Sequence, residues 1–326
     1  MKRLDFRVGS IVIVVGLFCG VVTHSAGAPP ALPEGNTGIA AAYPNDTGIT
    51  SNPNVLFADG YESYTSASQL ISSGNYNNYF QQQNITPDTS TFAGGAKSLR
   101  IRMPQSGSEV SNAIVRPISP TRDVMFMRVY ARYAPNYTGV NSAHNAMRIT
   151  GNYTGPGRRP NGTDFFLVNI EHSHWSNEPQ PGWTHAYVYH PEQTDVYGEH
   201  WFSDGTVTNG SFSFGPYFVP RPNVAPTRGT WQSFEMMVQL NTPGSRDGRV
   251  AAWQEGVLVA DWQNIRFRDV TTLKIDEIQL ENGGQGSTQV NDKWYDNLVI
   301  ATSYIGPKVT SGTPAPRPPT NLRIVR

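Results

Sequence analysis

The stretch RDVMFMRVYARY, residues 122–133, alternates strictly. Met125, Met127, Val129 and Ala131 fall on one side of an extended chain, and Phe126, Arg128, Tyr130 and Arg132 on the other. A period of two marks a β-strand with one buried face, because successive side chains leave a strand on opposite sides. Outward from this stretch the pattern recurs. Over 164–174, Phe166, Val168 and Ile170 oppose Leu167, Asn169 and Glu171; over 184–190, Ala186 and Val188 oppose His185, Tyr187 and Tyr189. Over 231–240 the core side reads Phe234, Met236, Val238 and Leu240. Further strands are expected at 98–103, 249–254, 257–262, 273–281 and 293–301, with turn residues between them and no long amphipathic helix anywhere. Many short antiparallel strands of this kind predict an all-β chain, a two-sheet antiparallel β-sandwich of jelly-roll form.

The ends read differently. Lys2, Arg3 and Arg7 precede an apolar run over 11–22 and then the small residues Ser25, Ala26, Gly27 and Ala28, the three-part pattern of a secretory signal over 1–28. That run is too short to span a bilayer comfortably. The only cysteine, Cys19, lies inside it, so the processed chain is expected to have no thiol and hence no disulfide, no cysteine metal site and no cysteine nucleophile. Removing 1–28 changes the 25 basic and 25 acidic residues to 22 and 24. A nearly neutral protein argues against nucleic acid or an anionic membrane as partner. Residues 29–53, rich in Pro, Gly, Asn, Thr and Ala, are expected to form a flexible lead-in, and 307–326, with SGTPAPRPPT, a Pro-rich tail. The jelly-roll domain is then 54–306, in a secreted monomer, extracellular or periplasmic.

The polar faces of these strands are where chemistry is expected. Arg128, Tyr130 and Arg132 share a face, as do Asn169 with Glu171 and Tyr187 with Tyr189. If the strands are neighbours, they make a cationic, aromatic groove suited to sugar rings; the alternative is an ordinary solvated face. The segment HPEQTDVYGEHW, with His190 and Tyr197, reads as a loop lining that groove in preference to a transition-metal site.

The segment from Gly229 to Asp269, GTWQSFEMMVQLNTPGSRDGRVAAWQEGVLVADWQNIRFRD, followed by EIQLENGGQG and WYDNLVIATSYIG, resembles the C-terminal half of the concanavalin-A-like lectin/glucanase-type polysaccharide lyases, most closely polysaccharide lyase family 14 with its alginate and glucuronan lyases. The likeness spans 229–306. Upstream, HNAMRITG at 144–151 stands where such lyases carry a Lys-led loop, and Tyr187-Val188-Tyr189 resembles their Tyr-x-Tyr strand. The resemblance implies a secreted lyase acting on a uronate-containing polysaccharide by β-elimination. That reaction needs a carboxylate neutraliser, a base and an acid. Arg148 and Asn169 are the implied neutralisers, His144 the base in place of the family's lysine, and Tyr187 or Tyr189 the acid. The family's Ser-x-Arg is replaced by Asn169-x-Glu171, so Arg148, Arg128 or Arg132 is expected to supply the charge. Arg128, Tyr130, Arg132, Glu171, His190 and Tyr197 are the expected substrate contacts.

Two other readings stand beside this one. A binding or adhesive module would use the same groove without catalysis. A hydrolase would use Glu277, Gln279 and Glu281, which share one face of a strand and loosely resemble the Glu-x-Asp-x-Glu of family 16 glucanases. No organic cofactor is expected. In many sandwiches of this kind the first and last strands lie together and hold a structural Ca²⁺, for which Asp59, Glu62 and Asp296 are the implied ligands.

Overall fold

A computed structural model describes residues 27–175 and 177–310. The expected signal segment lies almost wholly outside the described residues, as does the tail from 311 onward. The strands are β1 (Val55–Asp59), β2 (Asn78–Phe80), β3 (Ile85–Asp88), β4 (Ser98–Met103), β5 (Ala113–Arg122), β6 (Val124–Tyr133), β7 (Ala143–His144), β8 (Met147–Gly151) and β9 (Phe166–Glu171). They continue as β10 (His185–Tyr189), β11 (Glu199–Phe202), β12 (Val207–Thr208), β13 (Gln232–Gln239), β14 (Gly248–Gln254), β15 (Val257–Ile265), β16 (Ile275–Glu281), β17 (Gly283–Gly284) and β18 (Asn291–Ala301). One short helix, α1 (Ala67–Ser72), follows β1.

Two eight-stranded antiparallel sheets face each other. The back sheet runs β15-β14-β13-β6-β18-β4-β3, with β1 also paired to β18; the groove sheet runs β12-β11-β10-β9-β8-β16-β5-β2. The inward side of β6 (Met125, Met127, Val129, Ala131) and that of β13 (Phe234, Met236, Val238) pack in one cluster with Phe166, Val168 and Ile170 of β9 and Ala186 and Val188 of β10. These are the residues whose alternation predicted the sandwich, and burial of each large one stabilises it by about 1.5–3 kcal/mol.

The outer side of β6 is not a groove. Arg128 is fully buried, its guanidinium held by Asp46, by Gly306 O at 3.1 Å and by Asn297 O at 3.2 Å. The Tyr130 hydroxyl accepts from Lys308 N at 2.7 Å, and Arg132 donates to Gly229 O at 3.0 Å while lying over the Trp294 ring. All three of these expected substrate contacts therefore belong to the back sheet, where Asp46, Asn297, Gly306 and Lys308 hold Arg128 and Tyr130, and Gly229 and Trp294 hold Arg132. Alternation distinguishes inside from outside. It does not say which of two sheets an outward residue belongs to.

The cover corrects a second expectation. Residues 31–53 form 3₁₀ turns at Ile39–Ala42, Pro44–Asp46 and Ile49–Ser51, and Ile39, Ala40 and Ile49 pack with Phe126, Met237, Trp253 and Tyr304 on the back sheet's outer side. Ile39 N donates to Tyr304 O, Ala40 N to Ile305 O and Asn45 N to Val309 O. This strap has no periodicity because each of its contacts is made once.

Under the strap, Glu235 accepts from Ile305 N and Gly306 N, both at 2.8 Å, and burial raises its pKa from 4.5 to about 7 despite those donors. The folded protein therefore holds this proton more tightly than the unfolded chain. Glu235 contributes stability that is complete below about pH 4.5 and is lost as pH climbs to about 7, on the order of 3 kcal/mol. Asp296, raised by burial to about 6, acts in the same sense. Urea denaturation from pH 4.5 to 7.5 should show this decline and Glu235→Gln should flatten it; an unchanged slope in the variant would refute the assignment.

The implied calcium ligands do not come together as a cluster. β1 does pair with β18, with Asp59 opposite Leu298. But Asp59 accepts from Tyr61 N and from the Tyr64 and Tyr76 hydroxyls, Glu62 from the Ala96 and Lys97 amides, and Asp296 from the Ala93 and Gly94 amides. Each of the three carboxylates is held by its own set of donors.

Candidate active site

The outer face of the groove sheet forms a cleft of about 1010 Å³. Strand register creates its central row. Gln279 of β16 lies opposite Arg148 of β8, Arg148 opposite Asn169 of β9, Asn169 opposite Tyr187 of β10, and Tyr187 opposite His200 of β11. Directly opposed residues stand about 4.5–5.5 Å apart, so five residues scattered from 148 to 279 become neighbours.

Arg148 organises one half of the cleft. Its Nε donates to Asn169 Oδ1 at 2.8 Å, Nη1 to Gln279 Oε1 at 3.0 Å, and Nη2 lies 2.8 Å from Glu281 Oε1. Asn169 in turn donates to Glu171 Oε2 at 3.1 Å. Asn169 is fully buried and sits beneath Arg148 as a support. Burial raises the pKa of Glu281 against the pull of Arg148, and that of Glu277 nearby.

The other half is a pair of hydroxyls. Tyr187 Oη donates to Tyr189 Oη at 3.2 Å and accepts from Gly198 N at 3.2 Å. Gly198 has to be glycine here, since a β-carbon would lie 2.7 Å from Val188 O and 2.9 Å from a carbon of each tyrosine ring. The Tyr187 ring stacks on His200 with centroids 4.6 Å apart. Burial pushes both phenols above their ordinary pKa, so they are protonated at neutral pH. Burial pushes His200 the other way, to about 3, leaving it neutral.

His144 closes the cleft from β7, with Nε2 3.3 Å from Glu109 Oε1. Burial opposes its charged form, but Glu109, with Glu171 and Glu281 behind it, outweighs burial and raises its pKa above 6.5.

His144, Arg148, Glu171, Tyr187, Tyr189 and Tyr197 thus line one cleft. His190 does not. It has the opposite parity to Tyr189 and turns inward, 3.2 Å from Glu199 and against Trp201 and Phe212. The Glu277–Gln279–Glu281 ladder considered for a hydrolase does face the cleft. Sequence reasoning missed Glu109, which no alternation marks and whose carboxylate stands 3.3 Å from His144, and the close approach that requires a glycine at 198.

Residues 180–294 match the model of the family polysaccharide lyase 14, overlapping the segment that carried the resemblance. Among solved structures, a variant of alginate lyase Aly36B in complex with alginate trisaccharide aligns with a TM-score of 0.57 at 16% identity, over 77% of this chain and 99% of that one. Alginate lyase vAL-1 from Chlorella virus aligns at 0.54 and 14%, over 77% and 100%. The marine PL-14 alginate lyase from Aplysia kurodai aligns at 0.53 and 15%, over 76% and 99%. At these identities the likeness establishes the fold. No curated protein sequence matches the chain. The partial family match over 180–294 agrees with the lyase expected from the sequence.

Proposed function

We propose that this chain is an exported lyase that cleaves a uronate-containing polysaccharide by β-elimination in the cleft. The observation that carries the reading is one row of side chains with Arg148 on one side and the Tyr187–Tyr189 hydroxyl pair on the other, flanked by His144. Arg148, oriented by Asn169 and Gln279, meets the substrate carboxylate and stabilises charge as it builds on the adjacent carbon. Neutral His144 takes the proton alpha to the carboxylate. The C–H electrons form the new double bond, the bond to the 4-O-linked sugar breaks, and the departing oxygen takes a proton from Tyr189.

Incubation with alginate, glucuronan or other uronate polymers should raise ultraviolet absorbance from the unsaturated product. Retained binding without any rise would instead favour a binding module. Because only neutral imidazole accepts a proton, kcat/KM should climb with pH through a midpoint above 6.5. His144→Ala should lose that limb and about 10²–10⁴-fold in rate. An unchanged pH profile in the variant would remove His144 from the role.

A further inference from the structure

Beside the hydroxyl pair, three coordinating atoms converge. Glu171 Oε1 lies 3.4 Å from His185 Nε2 and 3.9 Å from His200 Nδ1, and the two imidazole nitrogens are 3.1 Å apart. Glu171 and His185 are fully buried, and the His200 side chain is 12% exposed. His185 Nδ1 lies 3.0 Å from the Trp183 carbonyl oxygen, which can only accept. Nδ1 therefore carries a hydrogen for that carbonyl, and Nε2 is turned toward the Glu171 carboxylate and toward His200 Nδ1. Glu171 Oε1 accepts no well-formed hydrogen bond, although it is buried. A buried carboxylate oxygen without a hydrogen-bond donor, set beside two imidazole nitrogens, is a group of ligand atoms that a cation would complete.

The triangle of 3.1, 3.4 and 3.9 Å has the size of one face of a coordination tetrahedron. Nitrogen and oxygen ligands at about 2.0–2.2 Å from a zinc-like ion stand roughly 3.3 Å from one another. The surroundings are those of a ligand set. The Trp183 carbonyl fixes the His185 tautomer, Asn169 Nδ2 fixes the free oxygen of Glu171, and the Trp175 ring packs against both imidazoles with centroids 5.3 and 5.2 Å away.

We propose that Glu171, His185 and His200 bind one divalent transition ion of the zinc class, with its fourth position turned into the cleft. Glu171, Trp175 and His200 all line the cleft, so a bound polysaccharide passes that position. One consequence rests on the lyase reading. The cleft also carries Glu109, Glu277 and Glu281, the last of which occupies Arg148, and an ion at this point offsets carboxylates that would otherwise repel a uronate. Ion binding itself does not depend on that reading.

The test uses the processed full chain, stripped with chelator and titrated without polysaccharide, with Zn²⁺ by calorimetry and Co²⁺ by visible absorption. One ion per chain is expected, with the Co²⁺ bands of a low-coordinate site. His200→Ala and Glu171→Gln should each weaken binding by at least about 100-fold, while His174→Ala, outside the triangle, should leave it unchanged. Circular dichroism and melting of each variant establish that it is folded, and the partly exposed His200 is the substitution best tolerated. Absence of binding by either ion, or wild-type affinity in folded His200→Ala and Glu171→Gln, overturns the site. Ion binding without any unsaturated product from uronate polymers would retain the site and remove the lyase reading.

Discussion

Tyr189→Phe is expected to lower kcat for elimination by about 10²–10⁴-fold while leaving substrate binding and melting temperature almost unchanged. The hydroxyl accepts a hydrogen bond from Tyr187, which leaves its own hydrogen for the departing sugar oxygen. Its ring stays packed against Phe165 and Tyr153 whether or not the hydroxyl is present, so the loss should appear in turnover and not in folding. Tyr187→Phe should be milder, because it removes the partner that steers Tyr189 and not the proton donor itself. Single-turnover kinetics on a uronate polymer separate the two. If activity survives with Phe at both positions, the acid lies elsewhere.

The largest effect on stability is expected at the opposite face. Arg128→Met should cost about 3–5 kcal/mol, because it leaves the nearly buried Asp46 carboxylate without its partner and strips a donor from the carbonyls of Gly306 and Asn297. The strap over 31–53 should then loosen and become open to proteolysis, while chemistry on the groove sheet persists in whatever fraction stays folded. Adding Asp46→Asn to Arg128→Met should recover part of the loss, since the unpaired charge is then gone. A denaturation midpoint that barely moves in Arg128→Met would mean the strap is held by its apolar contacts alone.

Arg128 and Arg148 also show where sequence stops being informative. Arg128 stands at an outward position of a strand that alternation marks, whereas Arg148 lies in a segment, 147–151, that alternation does not mark as a strand. The inward residues of β6, β9, β10 and β13 are those that alternation predicts, because each strand repeats the same burial several times along the chain. Which outward residues share a cleft depends on strand order, and strand order is set by pairings between distant segments. Arg148 gains Asn169, Gln279 and Glu281 only because β8 lies between β9 and β16. The same holds for Glu171, whose opposite residue in β10 is His185. His190 was misplaced for a simpler reason: being near Tyr189 in sequence does not carry it to the same side of the sheet.

The strap has a consequence of a different kind. Asn45 is hydrogen-bonded to Val309, and Ile39 to Tyr304, so the strap and the segment after β18 meet on the outer side of the back sheet, away from the cleft. A support that gripped the strap around residues 39–49 would hold the molecule by its back and present the cleft outward. The protein can therefore be held on a flat surface by that covered side without hiding the cleft.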